Sequence, residues 1–462
     1  MKSIITNEKS IDEVLTRGVE NIYPSREELK KVLMSGKRIK LYCGYDPTAR
    51  SLHIGNAISI NKLGYFQRLG HEVIFLVGDF TGMIGDPTDK SVTRKKLTRK
   101  EALENSKNYQ KQASGYLKFD GKNPAKVLHN SEWSDKLTFK DVIELASNFT
   151  VQQMLTRTMF RNRLLGGKFN TYVVCRNCKN PFPSPIQFGD KKSFKTSTIE
   201  NNTTICPTCN RKTIFGKKDL LQSEPIYLHE FLYPLAQGYD SVAMDVDLEI
   251  GGNDQTFNML CGRDLMKAMK GKEKFVMTTK LLADETGKKM GKSEGNVVNL
   301  DESPKNMFGQ IMAWSDGLIG SAFELCTNIP ADQLIGIQKA LKDLKTNPRD
   351  LKLKLAFEIT KINHGEDAAR TAKDYFIETF SKQEIPNDVS VSTSSAPEIL
   401  LVDYIVEAGK AKSKSDARRK IEQGGVDLDG KKIDDWKMML SSELHNGMTL
   451  KVGKFGFVKI KF

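Results

Sequence analysis

Between residues 38 and 86, short apolar runs alternate with amphipathic segments. IKLYCGYD reads as a strand broken by a glycine, LHIGNAISINKLGYFQRLG has helical spacing, and HEVIFLVGDF reads as a buried strand. Together they predict a β-α-β unit with a parallel sheet, and such a sheet holds its ligand at the carboxyl ends of its strands, here around Gly44 and Gly78. Residues 103–117 continue as a polar helix. Helix and strand patterns resume at Tyr227, and amphipathic helical runs follow at 334–344 and 351–362. DVSVSTSSAP, ending at Pro397, has no periodicity and reads as a linker. Residues 399–462 predict two helices, a Gly-Gly turn, a hairpin tipped by Asp429-Gly430, and an alternating terminal strand, LKVGKFGFVKIKF.

The length, 462 residues, suggests about three domains, with enough apolar content for each to bury a core. With no apolar run of about 18 residues and no signal-like amino terminus, the chain reads as soluble and cytoplasmic, with no membrane partner. The charge adds something the pattern does not: 71 Lys and Arg against 57 Asp and Glu leave +14, which asks for an acidic partner. SVTRKKLTRK at 91–100 is a dense part of that surplus, readable as a solvated face or as a phosphate or RNA contact.

Seven cysteines are too few and too scattered for a disulfide scaffold. Four of them, Cys175, Cys178, Cys206 and Cys209, form two C-x-x-C pairs inside what looks like an insertion at 171–217. Two thiolate knuckles on separate hairpins suit a tetrahedral structural zinc ion, with iron, a redox disulfide pair or a metal-free site as the alternatives. Cys43, Cys261 and Cys326 read as isolated core or site-lining thiols.

Two further motifs point to nucleotide chemistry. YCGYDPTARSLHIGN places His53 and Asn56 one turn apart at a helix amino end, where phosphate is favoured, with Asp46 and Thr48 nearby as hydrogen-bonding groups. KMGKS at 289–293 sets Lys289 and Lys292 in a glycine-flanked cationic loop able to close on a triphosphate. Each alone is weak. Occurring in this order, the first inside a β-α-β unit and the second before a helical segment, they resemble the HIGH and KMSKS signatures of class I aminoacyl-tRNA synthetases.

TGMIGDPT, EFLYPLAQGYD and LEIGGNDQTFN extend the resemblance to the tyrosyl-tRNA synthetases of bacterial type. In EFLYPLAQGYD, Tyr233, Gln237 and Asp240 share one helix face. The resemblance implies that Tyr42 and Asp240 hold the phenolic hydroxyl of L-tyrosine, and that Asp86, Tyr233 and Gln237 hold its ammonium group. It implies that Gly44, Asp46, Thr48, Gly252, Asp254 and Gln255 meet ATP, joined by Lys292. His53, Asn56, Lys289 and Lys292, with Lys90 and Arg94, would stabilise the α-phosphate and the departing pyrophosphate. Departures include Asn56 for the second signature histidine and Gly291 for serine; Glu249 and Asn253 also differ, so their contacts are left open.

The carboxyl-terminal stretch AKSKSDARRKIEQGGVDLDGKKI resembles a small ribosomal-protein-like RNA-binding module, with Lys412, Lys414, Arg418, Arg419 and Lys420 facing RNA. The resemblance thus implies an α/β protein. A Rossmann-like catalytic domain at 1–294 would carry the cysteine-rich insertion. A helical anticodon-region domain at 295–382, a linker at 383–397 and an α+β RNA-binding domain at 398–462 would follow. The implied activity is synthesis of tyrosyl-adenylate from L-tyrosine and ATP with Mg2+, then tyrosyl transfer to tRNA-Tyr, by a homodimer. A catalytically silent RNA-binding protein and a tryptophanyl relative are the competing readings.

Overall fold

The structure, a computed structural model, describes residues 3–86, 97–157, 159–160, 170–183, 202–215, 220–223, 226–283, 297–343, 346–381, 391–394, 396–453 and 456–462. It forms two compact units, 1–301 with 315–346, and 302–314 with 347–462.

The first unit is built on β1 (Val19–Tyr23), β2 (Lys40–Tyr45), β3 (Glu72–Val77) and β4 (Lys126–His129), and, after the insertion strands β5 (Asn170–Val174), β6 (Pro181–Pro183), β7 (Asn202–Ile205), β8 (Lys212–Phe215) and β9 (Leu220–Ser223), on β10 (Leu248–Gly252) and β11 (Phe275–Thr279). Six of these strands make one sheet in the order β1-β11-β10-β2-β3-β4, parallel except for β1. The β-α-β prediction is met: β2 and β3 pair in parallel with Leu41 opposite Val73, and the helix Ile54–Arg68 joins them. Val73 to Val77 are all buried, as a sheet covered on both faces requires. The helix supplies Ala57, Ile60, Leu63 and Phe66 to one cover. Between β2 and β10 the chain order reverses direction across the sheet, the place where parallel sheets open a crevice.

Helices Ile319–Cys326 and Ala331–Ala340 group with this first unit, although the sequence reads them with the later helices. Arg17 explains the attachment. Its buried guanidinium donates to the carbonyls of Phe323, Thr327 and Ile329, so the backbone groups at the helix end find a partner. Residues 103–117 do not form one helix but two short ones, Arg99–Ser106 and Tyr109–Ala113.

In the second unit, helices Pro304–Met312, Pro348–His364 and Glu366–Ser381 pack on one another, with Phe308 and Phe376 rings 5.6 Å apart. The terminal module has the helices Leu401–Glu407 and Lys414–Glu422 over the strands β12 (Val391–Thr393), β14 (Val426–Leu428), β15 (Lys431–Lys432), β17 (Thr449–Val452) and β18 (Gly456–Lys461), while β13 (Glu398–Leu400) pairs with β16 (Met439–Ser441). Leu401, Tyr404, Ile421, Leu450 and Val458 form its core. Two details differ from the sequence reading. Residues 391–393 of the expected linker are a strand parallel to β18, anchored by Tyr404, whose hydroxyl donates to the Ser392 carbonyl at 2.6 Å. The terminal LKVGKFGFVKIKF is two antiparallel strands, β17 and β18, not one; the turn between them begins at Gly453, whose φ of 68° suits glycine.

Candidate active site

A cavity of about 370 Å³ opens at the carboxyl ends of β2, β3 and β10. Tyr42, Gly44, Asp46, Thr48, His53, Asn56, Asp86, Tyr233, Gln237, Asp240, Gly252, Asp254 and Gln255 all line it. Lys90, Arg94, Lys289 and Lys292 lie outside the described residues. Of the segments flanking 284–296, Leu281 and Leu282 line the cavity on one side. On the other, Ile54 donates to the Val298 carbonyl at 3.0 Å and Leu300 to that of Leu52 at 2.9 Å, beside His53.

Glycine makes room where strands end. A Cβ on Gly78 would stand 2.1 Å from Asp46 Oδ1, so the close approach of β3 to Asp46 requires glycine. At the helix amino end, His53 N–H donates to Asn56 Oδ1 at 3.0 Å. That fixes the Asn56 amide, leaving its NH2 as the donor for a ligand. Gly55 serves the histidine itself: a Cβ there would lie 2.9 Å from the imidazole.

Of the carboxyl groups lining the cavity, Asp46, Asp86 and Asp240 differ in their engagement. Asp46 accepts from Thr81 Oγ1 at 2.6 Å and from the Tyr233 hydroxyl at 2.8 Å. Asp86 accepts from Arg157 at 2.9 Å and from Gln255 Nε2 at 2.7 Å. Asp240, 2% exposed, accepts from Trp133 Nε1 at 2.8 Å and Asn130 Nδ2 at 3.3 Å. Burial pushes its carboxyl well above the usual carboxylate range, against the pull of those two donors. Tyr42, 1% exposed, lies within 2.9 Å of Ser241 Oγ, and burial likewise raises its phenol. A buried phenol and a buried carboxyl in one cavity wall suit a ligand hydroxyl that satisfies both.

Sequence reasoning missed Asn130, Trp133, Arg157, Ser241 and Lys274. Asn130 and Trp133 follow β4, a strand too short to announce itself; Lys274 looks like any surface lysine until its burial is seen. Glu249, left open above, pairs with Lys274 and lines the cavity. Asn253 is exposed and turned to its own chain, its Oδ1 accepting from Asn21 Nδ2 at 3.4 Å and its carbonyl from Thr256 at 2.6 Å.

The cysteines form a second cluster. β5–β6 and β7–β8 are hairpins carrying one knuckle each, and β9 pairs with β5, so the inserted strands extend past 217 to Ser223. In each knuckle the residue after the second cysteine, Lys179 or Asn210, has positive φ and donates its N–H at 2.9 Å to the carbonyl of the first cysteine. Cys175 Sγ is 3.8 Å from Cys209 Sγ, Cys178 Sγ is 3.7 Å from Cys206 Sγ, and all four sulfurs lie within 4.8 Å of one another. Tetrahedral thiolates about 2.3 Å from one ion stand roughly 3.8 Å apart, so this donor set fits a single metal. Cys43, Cys261 and Cys326 are buried singly.

On the terminal module, Lys414, Arg418 and Arg419 are exposed and Lys420 is half-buried. They are held by Asp403, Glu422 and Asp416, and Arg418 lies over the Trp436 ring at 4.4 Å. Lys412 is exposed at the approach to the helix. Surface pairs of this kind are weakened by solvent screening and yield readily to a phosphate.

Among described residues, no helix is long and apolar enough to cross a membrane. The family model for class I tRNA synthetases (W and Y) matches residues 34–170 and 196–381, and that for the tyrosine--tRNA ligase SYY-like C-terminal domain matches 381–452. Tyrosine--tRNA ligase of Thermotoga maritima is 38% identical over 97% of this chain and 96% of its own length, and that of Haemophilus ducreyi is 38% identical over 96% of each. A C-terminally truncated mitochondrial tyrosyl-tRNA synthetase of Aspergillus nidulans shares the fold with a TM-score of 0.59 at 18% identity, covering 82% of this chain and 95% of its own. The parallel sheet, the cavity at its switch point and near full-length likeness agree: the chain belongs to the class I tRNA synthetases, among the bacterial tyrosine--tRNA ligases.

Proposed function

We infer that this chain activates L-tyrosine with ATP and transfers the tyrosyl group to the 3′ end of tRNA-Tyr. One observation carries the choice of amino acid: Tyr42 and Asp240, both nearly inaccessible to solvent, lie in the wall of one cavity. A site built on such a pair rejects phenylalanine, because its polar groups would lose their partner. Asp86, Tyr233 and Gln237 hold the substrate ammonium. Gly44, Asp46, Thr48, Gly252, Asp254 and Gln255 receive ATP, with Asp254 on the ribose.

Held so, the tyrosine carboxylate oxygen attacks the α-phosphorus, the bond to the β-phosphate oxygen breaks, and pyrophosphate leaves with the charge. His53 and the Asn56 NH2 stabilise the α-phosphate at the helix amino end, and Lys289, Lys292, Lys90 and Arg94 neutralise the departing pyrophosphate. Magnesium bound with ATP would screen the phosphates. In the second step the terminal ribose hydroxyl of tRNA attacks the acyl carbon, releasing AMP. No side chain becomes covalently attached; positioning and electrostatics carry both steps.

Residues 1–294 are the catalytic domain in this reading. The terminal module, with Lys412, Lys414, Arg418, Arg419 and Lys420, grips the tRNA backbone. The protein works in the cytoplasm as a homodimer, and Cys175, Cys178, Cys206 and Cys209 hold a structural zinc ion. All four donors are thiolates, so no coordination position remains for water. Tyrosine-dependent exchange of pyrophosphate into ATP tests the reading. A folded protein without exchange is a silent RNA-binding relative, and one that exchanges with tryptophan instead has the other specificity.

A further inference from the structure

We propose that the buried Lys274–Glu249 pair is a positioning device for the amino-acid pocket, fixing through Ser241 and Gln237 the hydrogen-bond polarity at both of its ends. The inference rests on the functional reading above.

Lys274 precedes β11 and is fully buried; Glu249, on β10, is 2% exposed. The Lys274 ammonium contacts Glu249 Oε2, Ser241 Oγ at 2.8 Å and the Met259 carbonyl at 3.2 Å. Three N–H donors meet three acceptors, so none is left over. Ser241 Oγ therefore spends one lone pair on Lys274. Its single proton goes to Glu249 Oε2, 3.3 Å away, since a carboxylate is a better acceptor than a phenol. What remains on Ser241 is one lone pair facing Tyr42 at 2.9 Å, and Tyr42 must donate into it. With its proton committed, the Tyr42 oxygen is an acceptor toward the cavity for the O–H of a phenolic substrate. That substrate oxygen's own lone pairs are left to Asp240, whose carboxyl is held by burial toward its protonated, donating form. Phenylalanine brings no such donor.

The other oxygen of the same carboxylate sets the far end. Gln237 Nε2 donates to Glu249 Oε1 at 3.1 Å, and Gln237 Oε1 accepts from Asn258 Nδ2 at 3.0 Å. The amide cannot flip without setting its oxygen against the carboxylate. Its carbonyl lone pair is then held ready for an ammonium group. A glutamine at position 249 would present either a donor or an acceptor, whereas a carboxylate enforces one polarity on both neighbours, and Lys274 is the cation paired with it.

The test is pyrophosphate exchange with tyrosine and with phenylalanine, on the wild type, Ser241→Ala and the matched pair Glu249→Gln/Lys274→Met. A thermal melt checks that each is folded. In Ser241→Ala the KM for tyrosine rises on the order of tenfold and the tyrosine-to-phenylalanine ratio of kcat/KM falls by a similar factor, while the KM for ATP stays within about twofold. The matched pair shifts in the same direction. An unchanged tyrosine KM and ratio in folded Ser241→Ala overturns the inference, as does an equal rise in the KM for ATP, which would mean general loosening. If the matched pair does not fold, Ser241→Ala, which deletes one buried oxygen, decides alone. A wild type without exchange overturns the functional reading and this inference with it; an active wild type with an unaffected variant overturns only this inference.

Discussion

Trp133 donates its indole N–H to Asp240 Oδ1 at 2.8 Å, so the carboxyl that faces the cavity is held from behind by a side chain on a different element. Nothing in the local sequence ties the two positions, yet the bond sets where the Asp240 oxygens can point.

Replacing Trp133 by Phe keeps most of the ring and deletes the donor. A hydrogen bond to a carboxyl that burial holds toward its neutral form contributes about 0.5–1.5 kcal/mol, so the KM for tyrosine in pyrophosphate exchange rises roughly two- to tenfold, with the KM for ATP unchanged. Asp240→Ala goes further and lowers discrimination between tyrosine and phenylalanine by at least about a hundredfold. Discrimination at the wild-type level in Asp240→Ala would refute the assignment of the phenol subsite.

The Lys274–Glu249 pair has a stability signature separate from its effect on substrate. Lys274→Met leaves a carboxylate buried without its partner and costs about 3–5 kcal/mol, whereas Glu249→Gln with Lys274→Met removes both charges and recovers most of that loss. Denaturant melts of the two single variants and the double variant measure the coupling; additive losses would contradict it.

These contrasts show what the sequence could and could not disclose. The β2–helix–β3 unit was legible because buried parallel strands and an amphipathic helix have distinct periods, and the two C-x-x-C pairs were legible because ligand spacing is local. Asn130, Trp133, Ser241 and Lys274 were not, because each acts through a partner far away in the chain: Lys274 lies 25 positions from Glu249, and Trp133 lies 107 from Asp240. Strand β12 was hidden for a related reason. Its three residues are specified by β18, which pairs with them, and not by their own pattern.

Metal analysis of the purified protein is expected to find about one zinc per chain, lost in Cys178→Ser or Cys206→Ser. Chelation should unfold the insertion, seen as protease cleavage around 175–209, because a metal site that organises two knuckles contributes its binding energy to folding. Four free thiols and no metal in the untreated protein would reject the site.

The module at the carboxyl end predicts a salt signature. Removing a phosphate contact by Arg419→Ala weakens tRNA binding and lowers the slope of log K against log salt by roughly 0.7–0.9. Equal slopes for variant and wild type in a filter-binding titration would place Arg419 off the RNA. Arg418→Ala also strips a cation from the Trp436 face, so it is expected to lose module stability as well.

His71 gives the fold a pH dependence whose sign follows from its surroundings. It is fully buried between the helix Ile54–Arg68 and β3, its ring 5.9 Å from that of Phe66, and its Nδ1 accepts from the Ile39 N–H at 3.4 Å. Burial, assisted by the nearby Arg38 charge, lowers its pKa from 6.5 to about 4. Between those values the unfolded chain binds the proton and the folded chain does not, so protonation favours unfolding. The contribution is fully present above pH 6.5 and is lost as the pH falls to about 4, in total about 3 kcal/mol at 1.36 kcal/mol per unit. His71→Gln carries no titrating group, so the difference in unfolding free energy between wild type and variant should change across this window and be flat above it. A difference that stays constant from pH 4 to pH 7 would mean that His71 takes up its proton in the fold as readily as in the unfolded chain.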